Sequence, residues 1–229
     1  MNNEHYADCA RCPVRMSERI CMNPDGAGPE NCPTARKEEL IDETREEYGT
    51  DDLRDFALQA SIQEGSCYAN RDAVPFVLRP VKTRIQEICE FAARMNYKRL
   101  GLVFCSGLRR EAATVARILE EQGFVVVSVI CNVGRIDKTE IGIADNEKIM
   151  IGQPEAMCNP VMQAKVVNDA KTELNIALGL CVGHDAIFFK YAHAPTTVLA
   201  TKDRVTQHNP LAPIYADRSY YRKVHNPGF

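Results

Sequence analysis

The feature that most constrains the fold is an alternation of strand and helix signals in the C-terminal part of the chain. Short apolar runs suited to buried strands occupy residues 99–104, 124–130, 174–180 and 196–201. Segments with helical spacing of apolar residues lie between them, and Gly123 ends the first of these. Strand–helix–strand units of this length form right-handed parallel crossovers. We therefore predict an α/β fold, a three-layer sandwich with a parallel, Rossmann-like sheet.

Two regions precede this predicted α/β domain, which we assign to residues 98–229. Residues 1–36 contain four cysteines and few large apolar side chains. Such a region cannot bury a core of its own, and a bound metal would replace that core. We predict a small cysteine-rich metal-binding module there. Apolar residues recur at helical spacing within residues 37–97, which predicts a helical segment packed on the core.

The composition argues against several classes of partner. The 28 basic and 31 acidic residues give a net charge of −3 without a long basic run, so we expect no nucleic-acid partner. We also expect no membrane partner, because no apolar stretch approaches the roughly 20 residues of a membrane span. The N-terminus lacks the apolar centre of a signal peptide, which favours a cytoplasmic location. The oligomeric state is not indicated by the sequence.

Ten cysteines require an explanation in a cytoplasmic protein, where stable disulfides are rare and metal or thiol chemistry is more common. The first group is Cys9, Cys12, Cys21 and Cys32. Four thiolates can surround one metal, and the two-residue gap lets two of them hold the same ion. Zinc is slightly favoured because structural four-thiolate zinc is common. An iron–sulfur cluster also fits, since two of these cysteines precede proline. The alternative is four unrelated reduced thiols.

A second group of cysteines follows the predicted strands. Cys105, Cys131 and Cys181 come at three strand ends, and Cys158 precedes an Asn-Pro helix start. The carboxyl ends of parallel strands share one edge of the sheet, where ligands bind. We therefore expect these four cysteines to meet in one crevice. They could form a second metal or cluster site, a thiol nucleophile or a redox pair, or they could be small residues that fit tight strand ends.

Within this crevice we predict Cys105 and Cys181 as catalytic residues, because a following helix N-terminus stabilises a thiolate. His184 is a candidate ligand or acid–base group. Four charged residues beside the strand ends are candidates for binding a small anionic molecule: Arg109, Arg110, Asp203 and Arg204. The sequence contains no GxGxxG fingerprint, P-loop or GxSxG elbow, which argues against nicotinamide cofactors, ATP and esterase chemistry.

Several motifs together resemble one known family. They are "CARCPV", "CMNPDGAGPENCP", "GLVFCSGLRREA", "EAMCNPVMQA", "GLCVGHDAIFFKY" and "KDRVTQHNP". The family is an uncharacterised prokaryotic group of cysteine-rich proteins, predicted to bind metal and of unknown function. The resemblance implies metal binding by the N-terminal four-cysteine group and supplies no reaction. Cys67 and Cys89 lie outside these motifs; Cys89 is on an apolar helix face, which favours simple packing.

Three functional hypotheses remain open from the sequence. The first is a cytoplasmic metal-binding protein that acts as a thiol- or metal-dependent redox enzyme in the cysteine-lined crevice. The second is a non-catalytic metal or redox sensor, or a carrier, in which the N-terminal module is the working part. The third is a purely structural role for both cysteine groups.

Overall fold

The computed structural model describes residues 6–228, and the chain divides after Glu64 into two compact units. In the first unit, two short 3-10 turns precede the helices α1 (Pro33–Arg36) and α2 (Glu38–Glu47). Helix α3 (Asp51–Ser66) runs across the division. The predicted boundaries after residues 36 and 97 stay predictions, because compactness does not test where a metal-binding module ends.

The first unit has almost no interior. Among residues 6–64 the one buried side chain is that of Gln63, and no apolar side chain there is buried. The acidic helix α2 has an exposed surface throughout most of its length, as expected for a solvated charge run. Burial of apolar area is the main favourable term in folding. This unit therefore gains little stability from a hydrophobic core.

The second unit begins with a short antiparallel pair, β1 (Tyr68–Ala69) and β2 (Arg79–Pro80), followed by helix α4 (Arg84–Arg94). Helix α4 starts at a capping box formed by Thr83 and Gln86. Its inner face buries Cys89, so this thiol belongs to the core as predicted. Cys67, which precedes β1, is also buried.

A four-stranded parallel sheet forms the centre of the second unit. Its strands are β3 (Arg99–Phe104), β4 (Val125–Ile130), β5 (Leu174–Leu178) and β6 (Thr196–Ala200), in the spatial order β4-β3-β5-β6. The intervening helices are α5 (Arg109–Glu121), α6 (Pro160–Asp169) and α7 (His184–Tyr191), and α8 (Ala212–Tyr215) follows the sheet. The prediction of an α/β fold with a parallel sheet is confirmed.

The two faces of the sheet contribute to different core clusters. Leu100 and Leu102 of β3 belong to a cluster with buried residues of α4 and α5. Val103, the next residue on β3, belongs to a cluster with buried residues of α6 and α7. This alternation is the period-2 pattern of a strand that is buried on both sides. None of the helices within residues 6–228 is long and apolar enough to cross a membrane.

The strand ends differ slightly from the prediction, for a local reason. Strand β5 ends at Leu178 rather than at residue 180, because Gly179 adopts a left-handed backbone with φ of 64°. A Cβ at this position would overlap the side chain of Leu108. Glycine is therefore required both for the backbone conformation and for the close approach. The chain turns out of the sheet at this residue.

Candidate functional site

A cavity of about 1020 Å³ lies at the carboxyl edge of the parallel sheet. Its lining comes from the segments that follow β3, β5 and β6, and from the long connection between β4 and α6. The chemically functional lining residues are Cys105, Ser106, Glu111, Asn132, Lys138, Glu155, Cys158, Cys181, Lys202, Asp203, Arg204 and His208. Three predicted strand-end cysteines thus share one cavity with several charged groups.

The register of the sheet explains why these segments meet. Phe104 is level with Ile130 on one side and with Leu178 on the other, so β3, β4 and β5 end at the same height. Beyond the sheet, the Cys105 amide donates to the Leu178 carbonyl at 3.2 Å. Residues that follow these strands are consequently neighbours at one edge.

Cys131 is the fourth strand-end cysteine and lies behind the lining, with 3% of its surface exposed. The amide of Ser106 donates to its sulfur at 3.2 Å. The amide of Asn159 donates to its backbone carbonyl at 2.7 Å, which places Cys158 beside it. The side chain of Asn132 strengthens this junction by donating to the Ala156 carbonyl at 3.1 Å. Cys131 is therefore held between the segments that carry Cys105 and Cys158.

The neighbouring thiols of Cys105, Cys131 and Cys158 form a row with unequal acidity. The hydrogen bond with Cys131, followed by burial, raises the pKa of the Cys105 thiol to about 12. The hydrogen bond from Cys131 is the largest cause that lowers the pKa of the Cys158 thiol. Cys105 therefore retains its proton, and Cys158 is the member of the row at which negative charge is favoured.

Positive groups lie beside two of the cavity cysteines. The guanidinium of Arg204 donates from Nη2 to the Cys181 sulfur at 3.1 Å. Lys202 lies beside Cys105, and its charge favours the Cys105 thiolate, which only partly offsets the raised pKa. Burial of both charges is incomplete, so they remain available to a molecule that enters the cavity.

Asp203 is engaged in holding its own loop. Its carboxylate accepts from the amides of Val205 and Thr206 at 2.9 and 2.8 Å, and the Thr206 amide is the main cause that lowers the pKa of Asp203. The Asp203 amide donates to Nδ1 of His208 at 3.2 Å. A ring nitrogen that accepts cannot carry the proton, so neutral His208 is protonated at Nε2. The loop thereby fixes the tautomer of a cavity residue.

The opposite wall of the cavity is held by a partly buried ion pair between Lys138 and Glu155. Hydrogen bonding with Lys138 is the largest cause that lowers the pKa of Glu155. The second oxygen of Glu155 accepts from the Met150 amide at 3.0 Å. These contacts hold together the connection formed by residues 131–159, which contains no strand or α-helix. Neither partner was predicted from the sequence.

Three predicted residues do not reach this cavity. Arg109 and Arg110 are exposed in the first turn of α5, which starts only after an intervening 3-10 turn, Ser106–Leu108. His184 begins α7, and its Nδ1 atom is buried without a hydrogen-bond partner within the described chain. None of the three lines the cavity as the structure describes it. Their proposed roles in binding or catalysis stay predictions.

The four N-terminal cysteines line a second, much smaller cavity of about 60 Å³ in the first unit. Gly28 makes room for one of them, because a Cβ at that position would lie 2.7 Å from the Cys32 sulfur. The donor set is four thiols in a unit without an apolar core, which fits a structural metal. Within residues 6–228, no three His, Cys, Asp or Glu side chains are already arranged closely enough to hold an ion.

Comparison with known proteins places this architecture in a family. A family model described as "Protein of unknown function (DUF1847)" matches residues 32–199, a stretch that contains all four strand-end cysteines. An uncharacterised protein of Methanocaldococcus jannaschii is 49% identical over 142 residues, which cover 62% of this chain and 70% of that protein. No solved structure matches the chain. The chain therefore belongs to the DUF1847 family of proteins of unknown function.

Proposed function

We propose that this protein is a thiol-dependent redox enzyme that acts on a small anionic molecule in the cavity at the carboxyl edge of the sheet. The single observation that carries the proposal is the placement of Cys105, Cys131 and Cys158 side by side at this edge, held by the Ser106 and Asn159 amides, with the pKa of Cys158 lowered. Only the thiolate of cysteine is nucleophilic, so a cavity that stabilises it is suited to thiol chemistry.

The charges around the row support an anionic substrate. Glu155 is paired with Lys138, and the carboxylate of Asp203 is occupied by backbone amides. Arg204 is hydrogen-bonded to the Cys181 sulfur and Lys202 lies beside Cys105, and neither has a carboxylate partner among the contacts of the described residues. Glu111, also in the lining, is the remaining acidic group. The groups near the thiols are therefore mainly cationic, which attracts anions to the cavity.

We further propose that the first unit is a metal-binding module held by Cys9, Cys12, Cys21 and Cys32. Its four thiols line one small cavity, and the unit has no buried apolar side chain. Zinc is slightly preferred, with an iron–sulfur cluster as the alternative. A metal bound there would supply folding free energy, and no step of the thiol chemistry depends on it.

The wider architecture of the proposal is a Rossmann-like, three-layer sandwich in a cytoplasmic protein. The two core clusters on opposite faces of the sheet support the three layers. Reduced thiols in a working site require a reducing compartment, which supports the cytoplasm. A second metal or cluster at Cys105, Cys131, Cys158 and Cys181 stays a prediction.

The proposal is tested by alkylating the full chain, purified without oxygen, with neutral iodoacetamide and anionic iodoacetate, and by mapping the labelled cysteines. We expect a cavity cysteine to react faster than a cysteine in a short unstructured peptide. We also expect the ratio of the iodoacetate rate to the iodoacetamide rate to be higher for the cavity cysteine than for the peptide, a gain for the anionic reagent. The matched variants are Arg204→Gln, which should reduce this gain, and Arg117→Gln on the exposed surface of α5, which should not.

Parallel assays of zinc, iron and acid-labile sulfide determine which metals the purified chain carries. If iron and sulfide are present and are lost when Cys105 and Cys181 are changed to serine, the cavity holds an iron–sulfur cluster. That result would reject the proposal of a thiol enzyme. Cavity cysteines that react no faster than the peptide would also reject the proposal, and would favour the sensor or carrier alternative.

A further inference from the structure

We propose that Cys158 is the attacking thiolate and Cys131 the resolving thiol of a dithiol pair, and that their substrate is a small disulfide that carries carboxylate groups. This inference rests on the proposed function and deepens it. It assigns a role to Cys131, which the sequence did not place among the catalytic residues.

The positions of the two sulfurs fit these different roles. Cys158 lines the cavity, whereas Cys131 is 3% exposed and lies behind it. An incoming molecule can therefore reach Cys158 but not Cys131. The two backbones are tied together by the hydrogen bond from the Asn159 amide to the Cys131 carbonyl at 2.7 Å. The two residues are thus held side by side without needing the substrate.

The local environment favours attack by Cys158. Cys158 immediately precedes Asn159, the N-cap residue of the ten-residue helix α6. Partial positive charge at a helix N-terminus stabilises a nearby thiolate. The hydrogen bond from Cys131 adds to this by lowering the pKa of Cys158. The neighbouring thiol thus activates the nucleophile before it resolves the intermediate.

The other two cavity cysteines are less suited to this step. The pKa of Cys105 is raised to about 12, so this thiol stays protonated at neutral pH. Cys181 accepts a hydrogen bond from Arg204 at 3.1 Å, and within the described chain no second cysteine is hydrogen-bonded to it. A dithiol pair needs a thiolate and a partner in contact with it. Cys158, with its lowered pKa, and Cys131, tied to its neighbour Asn159 through the backbone, are the pair that best fits this description.

The chemistry is a thiol–disulfide exchange in two steps. The Cys158 thiolate attacks one sulfur of the substrate disulfide, forms a mixed disulfide with it, and releases the other half as a thiolate. The Cys131 sulfur, after giving up its proton to that leaving thiolate, attacks Cys158 and releases the second half. The second half leaves as a thiolate and takes a proton from solvent, so two electrons pass from the protein to the substrate, which ends as two thiols. The protein retains a disulfide between Cys131 and Cys158.

The cavity also indicates the chemical class of the disulfide. Its volume of about 1020 Å³ is at the upper end of the roughly 300–1,000 Å³ typical of small-molecule sites. Arg204 and Lys202 lie beside Cys181 and Cys105, in the same cavity as Cys158. Arginine binds carboxylates with two parallel hydrogen bonds. A compact disulfide with carboxylates at its ends would fit within this volume, and its carboxylates would pair with the two basic side chains.

The test uses the full chain, reduced and free of oxygen, with oxidised glutathione as the anionic probe and hydroxyethyl disulfide as the neutral one. Acid quenching and peptide mass spectrometry then locate each new disulfide. We expect wild-type protein to form the Cys131–Cys158 linkage. The Cys131→Ser variant should stop with glutathione attached to Cys158. The disulfide formed in the wild-type protein tests the assignment by itself, so the test does not depend on whether the Cys131→Ser variant folds.

The substrate class has its own control. Arg204→Gln should lower the rate with oxidised glutathione, relative to hydroxyethyl disulfide, by about tenfold, the effect of losing one charge-assisted hydrogen bond. Arg117→Gln should leave this ratio unchanged. A ratio that is unaffected by Arg204→Gln would overturn the carboxylate class.

The outcomes separate this inference from the proposed function. Rapid attachment of glutathione to Cys105 or Cys181, or a linkage between a different pair, would overturn the assignment of Cys158 and Cys131 while the thiol-dependent function stands. If no cavity cysteine exchanges faster than a thiol in an unstructured peptide, the proposed function itself fails.

Discussion

Replacing Gly179 with alanine should damage the fold at the edge of the sheet that supports the cavity. Gly179 follows β5 with φ of 64°, in the left-handed region that disfavours residues with a Cβ. The added methyl group would overlap Cδ1 of Leu108 and lie 3.4 Å from its Cγ. Leu108 is buried in the turn that follows Cys105. The substitution therefore strains the backbone and overpacks the core.

The size of the effect follows from these two contributions. A non-glycine residue in a left-handed conformation costs about 1–2 kcal/mol. Forcing an extra methyl group into a well-packed core costs about 1–3 kcal/mol. The sum, about 2–5 kcal/mol, is large against the ~5–15 kcal/mol that separates folded and unfolded domains. Gly123 provides the matched control, because it has φ of 92° and a Cβ added there would meet no atom of residues 6–228 within 4 Å.

The assay is equilibrium urea unfolding of the full chain with each variant. Gly179→Ala should lose about 1–3 kcal/mol more than Gly123→Ala, since only the first adds overpacking. In the Gly179→Ala background, Leu108→Ala should cost less than in the wild type, because the smaller side chain removes the overlap. Equal losses for the two glycine variants, with additive effects of Leu108→Ala, would refute the reasoning.

Three further predictions address the site. A chelator should remove the metal from the first unit and expose residues 6–64 to limited proteolysis, because this unit has no buried apolar side chain to hold it; an unchanged digestion pattern would count against the metal. Alkylation of Cys158 should persist at lower pH than alkylation of an ordinary thiol, and should be lost as the pH falls through the lowered pKa of Cys158. Cys105 should stay unreactive until the pH approaches about 12. Mapping the labelled cysteines as a function of pH checks both statements, and equal pH profiles for the two cysteines would contradict them. Asn159→Ala should destabilise the protein by about 1 kcal/mol in urea unfolding, because its side chain caps α6; no measurable loss would mean that the cap is dispensable.

The sheet was predictable because each central strand is buried on both faces and reads as an apolar run. Leu100, Leu102 and Val103 are fully buried on alternate sides of β3, and the predicted range of that strand matches the observed one. The helix start at Asn159 and Pro160 was also predictable, because the cap is a local interaction between the Asn159 side chain and an amide three residues away. Local rules thus located the elements.

The composition of the cavity was only partly predictable. Parallel topology explains why the strand-end cysteines lie at one edge, but it does not say which thiol lies behind the others. The central position of Cys131 depends on the Asn159 amide, which belongs to a segment that returns after a long connection. The Lys138–Glu155 pair spans 17 residues of irregular chain and leaves no periodic signal. Arg109 and Arg110 lie outside the cavity lining although Glu111, the next residue of α5, lies within it, and the sequence does not show which of them faces the cavity.

The strand order has a consequence for the protein while it is being synthesised. β3 and β4 are made first, and they pair with each other. The other edge of β3 pairs with β5, for example at Leu100 and Leu174, which are far apart in the chain. Until β5 leaves the ribosome, a nascent chain has an open backbone edge beside Cys105 and Cys131. An exposed edge strand invites pairing with other chains. This edge of β3 therefore stays open to other chains for longer than it would in a sheet whose neighbouring strands are consecutive.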